Sequence, residues 1–144
     1  MQQNEIIRSF NWRYATKHFD SSKKISDQNF NILKQSLILS PSSFGLQPYK
    51  FLILENKELR KKLTSHSWNQ AQIEEASHLI VFLGKKNITK QDIEEFIELT
   101  SKTRQMPLSN LEDYKNMMLQ SLVESDKDIV NWAAKQAYIA LGNL

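Results

Sequence analysis

The chain has 144 residues, of which 40% are hydrophobic and 24% charged, a balance typical of a globular domain rather than a disordered segment. Lysine and arginine total 19 against 16 for aspartate and glutamate, and this small excess is spread along the chain, unlike the basic stripe of a nucleic-acid-binding protein. The absence of cysteine excludes disulfides, thiolate catalysis and cysteine-ligated zinc. We expect a single domain over residues 1–144.

The first half of the chain alternates predicted helices with one predicted strand. A short helix is expected over residues 4–14, and Ser26 has the residue type of an N-cap for a helix that runs to about Leu39. Residues 49–55, YKFLILE, are rich in aromatic and β-branched side chains and predict a strand. Asn56 then caps the next predicted helix.

The second half predicts one further strand between helices. After a short helix over residues 70–76, the apolar run at 77–84 is expected to form a strand buried on both faces. Thr89 begins a helix, the SNLE motif at 109–112 matches a capping box for another, and a last helix starts near Asp126. Two strands make a marginal sheet, so either the fold is mostly helical or strands that complete the sheet lie beyond the sequence.

The last predicted helix has a broad apolar face that includes small residues. Such a face favours close packing against another helix, and we expect a homodimer built on it. The residues of this face are Ile129, Trp132, Ala133, Gln136, Ala137, Ala140, Leu141 and Leu144.

Self-sufficient catalytic motifs are not expected in this sequence. The three histidines, His18, His66 and His78, fall in different predicted elements and do not have metal-ligand spacing, so we predict no metal site. With only three glycines, the chain contains neither a P-loop nor a dinucleotide-binding glycine motif. The longest wholly apolar run, residues 79–83, is too short to span a membrane, and a cytoplasmic location is expected.

Two segments suit the binding of a planar, anionic ligand. In the first, RYATKHF at 13–19, Arg13 and Lys17 flank Thr16 where a helix gives way to extended chain. Arginine binds phosphate through two parallel hydrogen bonds, and lysine supplies a mobile charge. The alternative interpretation is a solvated turn with two ordinary basic residues.

The second segment is the polar loop SPSSFGLQP at 40–48. Its Ser42, Ser43 and Gly45 offer hydroxyls and backbone amides, and Gln47 offers both a donor and an acceptor, as the edge of a heterocycle requires. The two prolines stiffen the loop. The alternative is a serine-rich helix end with no ligand.

Four motifs in order resemble the bacterial FMN-dependent nitroreductase family, especially its oxygen-insensitive NAD(P)H branch. They are RYATKHF at 13–19, PSSFGLQPY at 41–49, ASHLIVF at 76–82 and WAAKQAYIALGN at 132–143. The resemblance implies an α+β fold in which helices surround a central sheet. It also implies a homodimer in which the loop of one subunit reaches the flavin of the other.

The resemblance further implies two-electron ping-pong chemistry, in which NAD(P)H reduces FMN and a nitroaromatic, quinone or other flat acceptor then takes a hydride. The residues implied to bind FMN are Arg13, Tyr14, Ala15, Lys17, Pro41, Ser42, Ser43, Gly45, Asn69 and Gln136. Those implied to line the acceptor pocket are Phe44, Met117 and Met118.

The sequence departs from the family pattern at several points. Gln72 stands where the family often has a lysine, and Ala15 replaces the serine of the first motif. Family members also continue well beyond residue 144, so we expect the domain to be incomplete at its C-terminus, before the last strands. The alternative function is a truncated, non-catalytic dimerisation or binding module.

Overall fold

The computed structural model describes residues 3–144, which form seven α-helices and two β-strands. In chain order these are α1 (Gln3–Trp12), α2 (Asp27–Ile38), β1 (Tyr49–Leu54), α3 (Lys57–Thr64), α4 (Gln72–Glu75), β2 (Leu79–Gly84), α5 (Lys90–Arg104), α6 (Glu112–Leu122) and α7 (Ile129–Asn143). The helix-rich α+β prediction therefore holds for the described residues.

Side-chain caps start four of the helices, α2, α3, α5 and α7, the last of them capped by Asp128. Ser26 accepts a hydrogen bond from the Asn29 amide, and Asn56 does the same for α3. Thr89 and Asp92 form a reciprocal capping box at the start of α5. These caps satisfy amides that a helix leaves unpaired in its first turn, and three of them follow directly from the sequence.

The chain forms two compact units, and each is described by itself. The first unit runs up to Ile25 and also takes in Ile53–Leu79, where α3 packs on α4. The second combines Ser26–Leu52 with Ile80–Leu144. The expectation of a single domain stays a prediction.

The main core of the second unit lies between α5 and α6. Ile93 and Met118 are fully buried there, and Ile97 and Leu122 are nearly so. Ile88 joins the same cluster from the connection between β2 and α5. This core fixes the positions of the two helices, which frame a cavity described below.

The two strands pair with each other and with no other strand in the described residues. β2 was predicted to be buried on both faces, and this prediction is wrong. Its first four residues are half-buried, whereas Leu83 and Gly84 are exposed. A single neighbouring strand and one layer of side chains, including Phe51 and Phe82, do not cover both faces.

α7 packs its small residues within the second unit. Ala133 and Ala140 are fully buried, and Ala137 lies against Tyr49. α2 packs on the same helix. The small-residue face therefore does not need a partner to be covered. The large apolar side chains that α7 leaves exposed are Val130, Tyr138, Ile139 and Leu141, of which Leu141 belongs to the predicted apolar face.

The predicted capping box at residues 109–112 is not formed. Ser109 lies inside a 3-10 helix, Leu108–Leu111, and Leu111 occupies the N-cap position of α6 without a side-chain bond. The 3-10 helix places the Asn110 amide on the Pro107 carbonyl. The chain therefore enters α6 from a 3-10 turn and not from a side-chain cap.

No helix among residues 3–144 combines the length and the apolar character needed to cross a membrane.

Candidate functional site

The segment after α1 presents its basic residues to solvent. Arg13 and Lys17 are exposed, and neither side chain has a hydrogen-bond or ion-pair partner within the described residues. The intervening Tyr14 and Ala15 are exposed as well. Two unneutralised cations four residues apart are free to bind an anion.

Helix α4 holds the backbone of this segment through two side chains of one face. The Gln72 side-chain amide donates to the Thr16 carbonyl at 3.3 Å. The Glu75 carboxylate accepts the Phe19 amide at 2.9 Å and lies 3.4 Å from the His18 ring nitrogen Nδ1. The bond from the Phe19 amide lowers the pKa of Glu75, burial opposes that shift, and His18 adds to it.

Arg60 anchors the end of α4 from within the same unit. Its side chain is 5% exposed, and its Nε donates to the Ile73 carbonyl at 2.7 Å. The guanidinium also contacts the carbonyls of Ala76 and Ser77. A helix leaves its last carbonyls unpaired, and this planar cation binds the carbonyls of Ile73 in α4 and of Ala76 at its C-cap. The Arg60 contacts therefore fix α4, and α4 fixes residues 16–19.

A second feature of the first unit is the tight turn at Trp68 and Asn69. Both residues have positive φ, at 52° and 54°, and the Asn69 amide donates to the Thr64 carbonyl at 3.0 Å. Asn69 is exposed, and the Trp68 ring is 90% exposed. Left-handed backbone at two adjacent non-glycine residues is costly, and such strain is concentrated at functional sites.

In the polar loop of the second unit, most of the hydrogen-bond donors bind acceptors within the loop or at the end of α2. The Gln47 side-chain amide donates to the carbonyls of Ile38 and Ser40, at 2.8 and 3.1 Å. The Gln47 backbone amide donates to the Ser42 hydroxyl, and the Gly45 amide donates to the Ser42 carbonyl. The sequence suggested that these amides face a ligand, whereas the structure uses them to shape the turn.

Gln136 completes this arrangement from α7. It is 6% exposed, and its Oε1 accepts the Ser43 amide at 2.8 Å while its Nε2 donates to the Trp132 carbonyl. The next residue, Phe44, has a φ of 60°, and its carbonyl accepts the Tyr114 hydroxyl at 2.7 Å. The loop is thus held from α7 and from α6.

The predicted site residues fall in both units. Within the first unit lie Arg13, Tyr14, Ala15, Lys17 and Asn69, all exposed. The second unit contains Pro41, Ser42, Ser43, Gly45 and Gln136, and it brings the last directly onto the Ser43 amide. Of the three predicted pocket residues, Phe44 is half-buried and Met117 is exposed, whereas Met118 is fully buried in the core and presents no surface to a ligand.

Three residues with evident positioning roles were missed by sequence reasoning as site residues. In the sequence, Glu75 is part of an acidic pair interpreted as solvated, and Arg60 is part of a basic cluster. No sequence pattern marks Tyr114. Each acts on a residue more than ten positions away, so no local pattern marks it. Among residues 3–144 there is no cluster of three or more metal-ligating side chains.

Comparison with known proteins identifies the family. The family model described as "Nitroreductase family" matches residues 11–144. The chain belongs to the nitroreductase family. The resemblance carried by the four sequence motifs is thereby confirmed.

The nitroreductase family also supplies the similar sequences. The chain is 40% identical to YfkO of Bacillus subtilis, a presumed NAD(P)H nitroreductase, over 99% of this chain and 68% of that protein. It is 38% identical to a presumed NAD(P)H nitroreductase of Staphylococcus saprophyticus, over 99% of this chain and 67% of that protein. The chain thus spans about two thirds of the length of these relatives.

Solved structures of nitroreductases share the fold. A nitroreductase-like protein of Streptococcus mutans superposes with a TM-score of 0.81 at 15% identity, over 99% of this chain and 70% of that one. A presumed nitroreductase of Exiguobacterium sibiricum, solved in complex with FMN, gives a TM-score of 0.71 at 20% identity, over 99% and 67%. The nitroreductase-like α+β fold predicted from the sequence is confirmed.

Proposed function

We propose that this chain is an FMN-dependent NAD(P)H oxidoreductase that reduces flat aromatic acceptors, in line with the names of its relatives and the FMN in a structural neighbour. The observation that carries the proposal is the segment at residues 13–19. Its two cations have no acidic partner in the described residues, and α4 holds their backbone through Gln72 and Glu75.

These residues fit the chemistry of the cofactor. Arg13 supplies a planar, permanently charged group for a phosphate, and Lys17 supplies a second positive charge that favours an electron-rich ring. The hydroxyl of Ser43 makes no hydrogen bond within the described residues and is free to contact a ligand. Asn69 offers an exposed amide for a polar edge.

When bound, FMN carries two electrons from NAD(P)H to the acceptor. For a nitroaromatic, the balanced reaction consumes NAD(P)H, one proton and the nitro compound, and it yields NAD(P)⁺, the nitroso compound and water. The protein's own contribution is placement and charge, because Arg13 and Lys17 bind and orient the anionic cofactor.

We also propose that the working form is a homodimer located in the cytoplasm. Its support is the apolar surface left open on the second unit, where Val130, Tyr138 and Leu141 of α7 line a cavity of about 320 Å³ with Phe82. An obligate dimer would bury about 2,000 Å² or more. Sedimentation that shows a monomer at every concentration would contradict this part.

The experiment that tests the cofactor assignment compares FMN with riboflavin. Arg13→Ala should weaken FMN binding by roughly 1.5–3 kcal/mol, the range for hydrogen bonds to charged groups, and should leave riboflavin binding almost unchanged. Arg8→Ala, which removes an exposed arginine of α1, is the matched control. Flavin fluorescence quenching gives both affinities.

Two outcomes of that titration would oppose the proposal. Equal weakening of FMN and riboflavin would show that Arg13 acts through folding or at another part of the flavin. A wild-type chain that binds neither flavin would favour the alternative of a non-catalytic binding or dimerisation module.

A further inference from the structure

The second unit contains a cavity of about 440 Å³ beside the polar loop. One wall is the Phe44–Gly45 turn, the second is α5 and the third is the start of α6. The α5 side chains that face it, Phe96, Leu99 and Arg104 among them, recur at helical spacing. This volume falls in the range of sites for small organic ligands.

Three of the nine residues that line this cavity are aromatic: Phe44, Phe96 and Tyr114. The ring centroids of Phe44 and Tyr114 are 6.2 Å apart with planes tilted by 54°. The tip of the Phe96 ring lies 3.7 Å from the position a Cβ would take at Gly45. Such rings stack favourably with a flat ligand. The Tyr114 hydroxyl is already bonded to the Phe44 carbonyl, so its ring rather than its polar group faces the space.

The described residues that line the cavity include a single charged side chain, that of Arg104. The positive charge of Arg104 acts on the Tyr114 phenol. Burial raises the pKa of that phenol, and the charge of Arg104 opposes the rise. The amides of Gln105 and Met106 occupy the carbonyls of Ser101 and Lys102 at the end of α5. Arg104 is exposed and is the charged side chain that a ligand in this cavity meets, and a planar guanidinium matches a carboxylate.

The wall is set before any ligand arrives. Phe44 sits at a φ of 60°, which costs energy for a residue with a side chain. The conformation persists because Gln136 holds the amide before it and Tyr114 holds its carbonyl. Strain maintained by converging contacts is a mark of a preorganised binding wall.

We infer that this cavity is a binding site for aromatic carboxylates and that it selects electron acceptors of that class. The carboxylate binds Arg104, and the ligand ring lies against the side chains of Phe44, Tyr114 and Phe96 that line the cavity. The acceptor role rests on the proposed function, whereas the binding itself does not require a flavin.

The test is a calorimetric titration of the chain without flavin or NAD(P)H, with para-nitrobenzoate and with its neutral analogue para-nitrobenzamide. We expect the carboxylate to bind more tightly than the amide. Arg104→Gln should weaken para-nitrobenzoate binding by about tenfold or more, as for loss of a charge-assisted contact, and should leave the amide within about twofold.

Lys102→Gln is the matched control, because it removes one exposed cation from the same helix turn without touching the cavity. It should change neither affinity. Retained binding of the amide shows that Arg104→Gln is folded. Equal affinities for the two ligands, equal losses in both, or no binding of either would overturn the inference.

The result is separable from the cofactor assignment. If the chain fails to bind FMN yet distinguishes the two ligands through Arg104, the aromatic-carboxylate site stands and the oxidoreductase assignment falls. If FMN binds with the expected dependence on Arg13 but Arg104→Gln leaves para-nitrobenzoate unaffected, the oxidoreductase assignment stands and this inference falls.

Discussion

Replacing Arg60 by methionine should expose how far the first unit depends on one buried cation. The substitution keeps the length of the side chain and removes its donors. Two contacts, with the carbonyls of Ile73 and Ala76, are strong, and the third, at 3.5 Å to Ser77, is marginal. Hydrogen bonds to charged groups contribute about 1.5–3 kcal/mol each, so two of them give about 3–6 kcal/mol.

The expected loss lies at the lower end, about 3 kcal/mol, because the end of α4 is close enough to the surface for water to reach the freed carbonyls. This is a large share of the ~5–15 kcal/mol that stabilises a typical domain. Thermal unfolding should move down by roughly 10 °C. Hydrogen exchange of the Phe19 amide should also quicken, since α4 positions the Glu75 carboxylate that accepts it.

Lys61→Met provides the control, because it introduces the same side chain at the exposed neighbouring position of α3. Urea unfolding followed by circular dichroism measures both variants. If Arg60→Met lies within about 1 kcal/mol of Lys61→Met, the three carbonyl contacts do not hold the unit together. If stability falls but Phe19 exchange is unchanged, the link from Arg60 to the basic segment is wrong.

Further substitutions test other contacts. Because the pKa of Glu75 is lowered in the fold, its carboxylate stabilises the fold at pH values above its ordinary pKa of 4.5, and this contribution is lost as the pH falls through the lowered pKa. Glu75→Gln should therefore weaken the dependence of the urea midpoint on pH over that window, whereas Glu74→Gln should not. Gln136→Met leaves a loop amide unpaired and should cost about 1–3 kcal/mol in urea unfolding; an unchanged midpoint would argue against the contact. Gly45→Ala places a side chain at a φ of 70° and should lower the free energy of unfolding by about 1–2 kcal/mol. Gly142→Ala lies inside α7 with open space around it and should raise the free energy of unfolding by up to ~1 kcal/mol. Thermal melts in which Gly45→Ala is the more stable variant would contradict both expectations.

Local chemistry made several elements predictable from sequence. Ser26, Asn56 and Thr89 cap their helices because each bonds an amide three residues away, within one stretch of sequence. The strand at 49–55 and the basic residues at 13–17 also lie where the patterns placed them. The capping box predicted at Ser109 is not formed, because Ser109 lies inside a 3-10 helix and the N-cap of α6 is Leu111.

The contacts that organise the candidate site could not be predicted in this way. The Glu75 carboxylate accepts a hydrogen bond from the Phe19 backbone amide, which is 56 positions away in the sequence. The Gln136 side-chain oxygen accepts one from the Ser43 backbone amide, which is 93 positions away. A carboxylate on a short polar helix has the same sequence signature whether it faces water or a backbone amide. Only tertiary packing decides which, and periodicity does not report it.

The hydrogen bonds from α7 that hold the polar loop at 40–48 and the end of α2 can form only late in synthesis. Gln136 and Asn143 of α7 hold Ser43 and Ser36 across 93 and 107 residues. At about 5–20 residues per second, a ribosome needs roughly 5–20 s to add the residues between Ser43 and Gln136. Until α7 docks, the contact from Gln136 that helps to keep Phe44 left-handed is missing. A ligand that requires the wall held by Gln136 therefore meets it complete only after α7 has been synthesised and has folded.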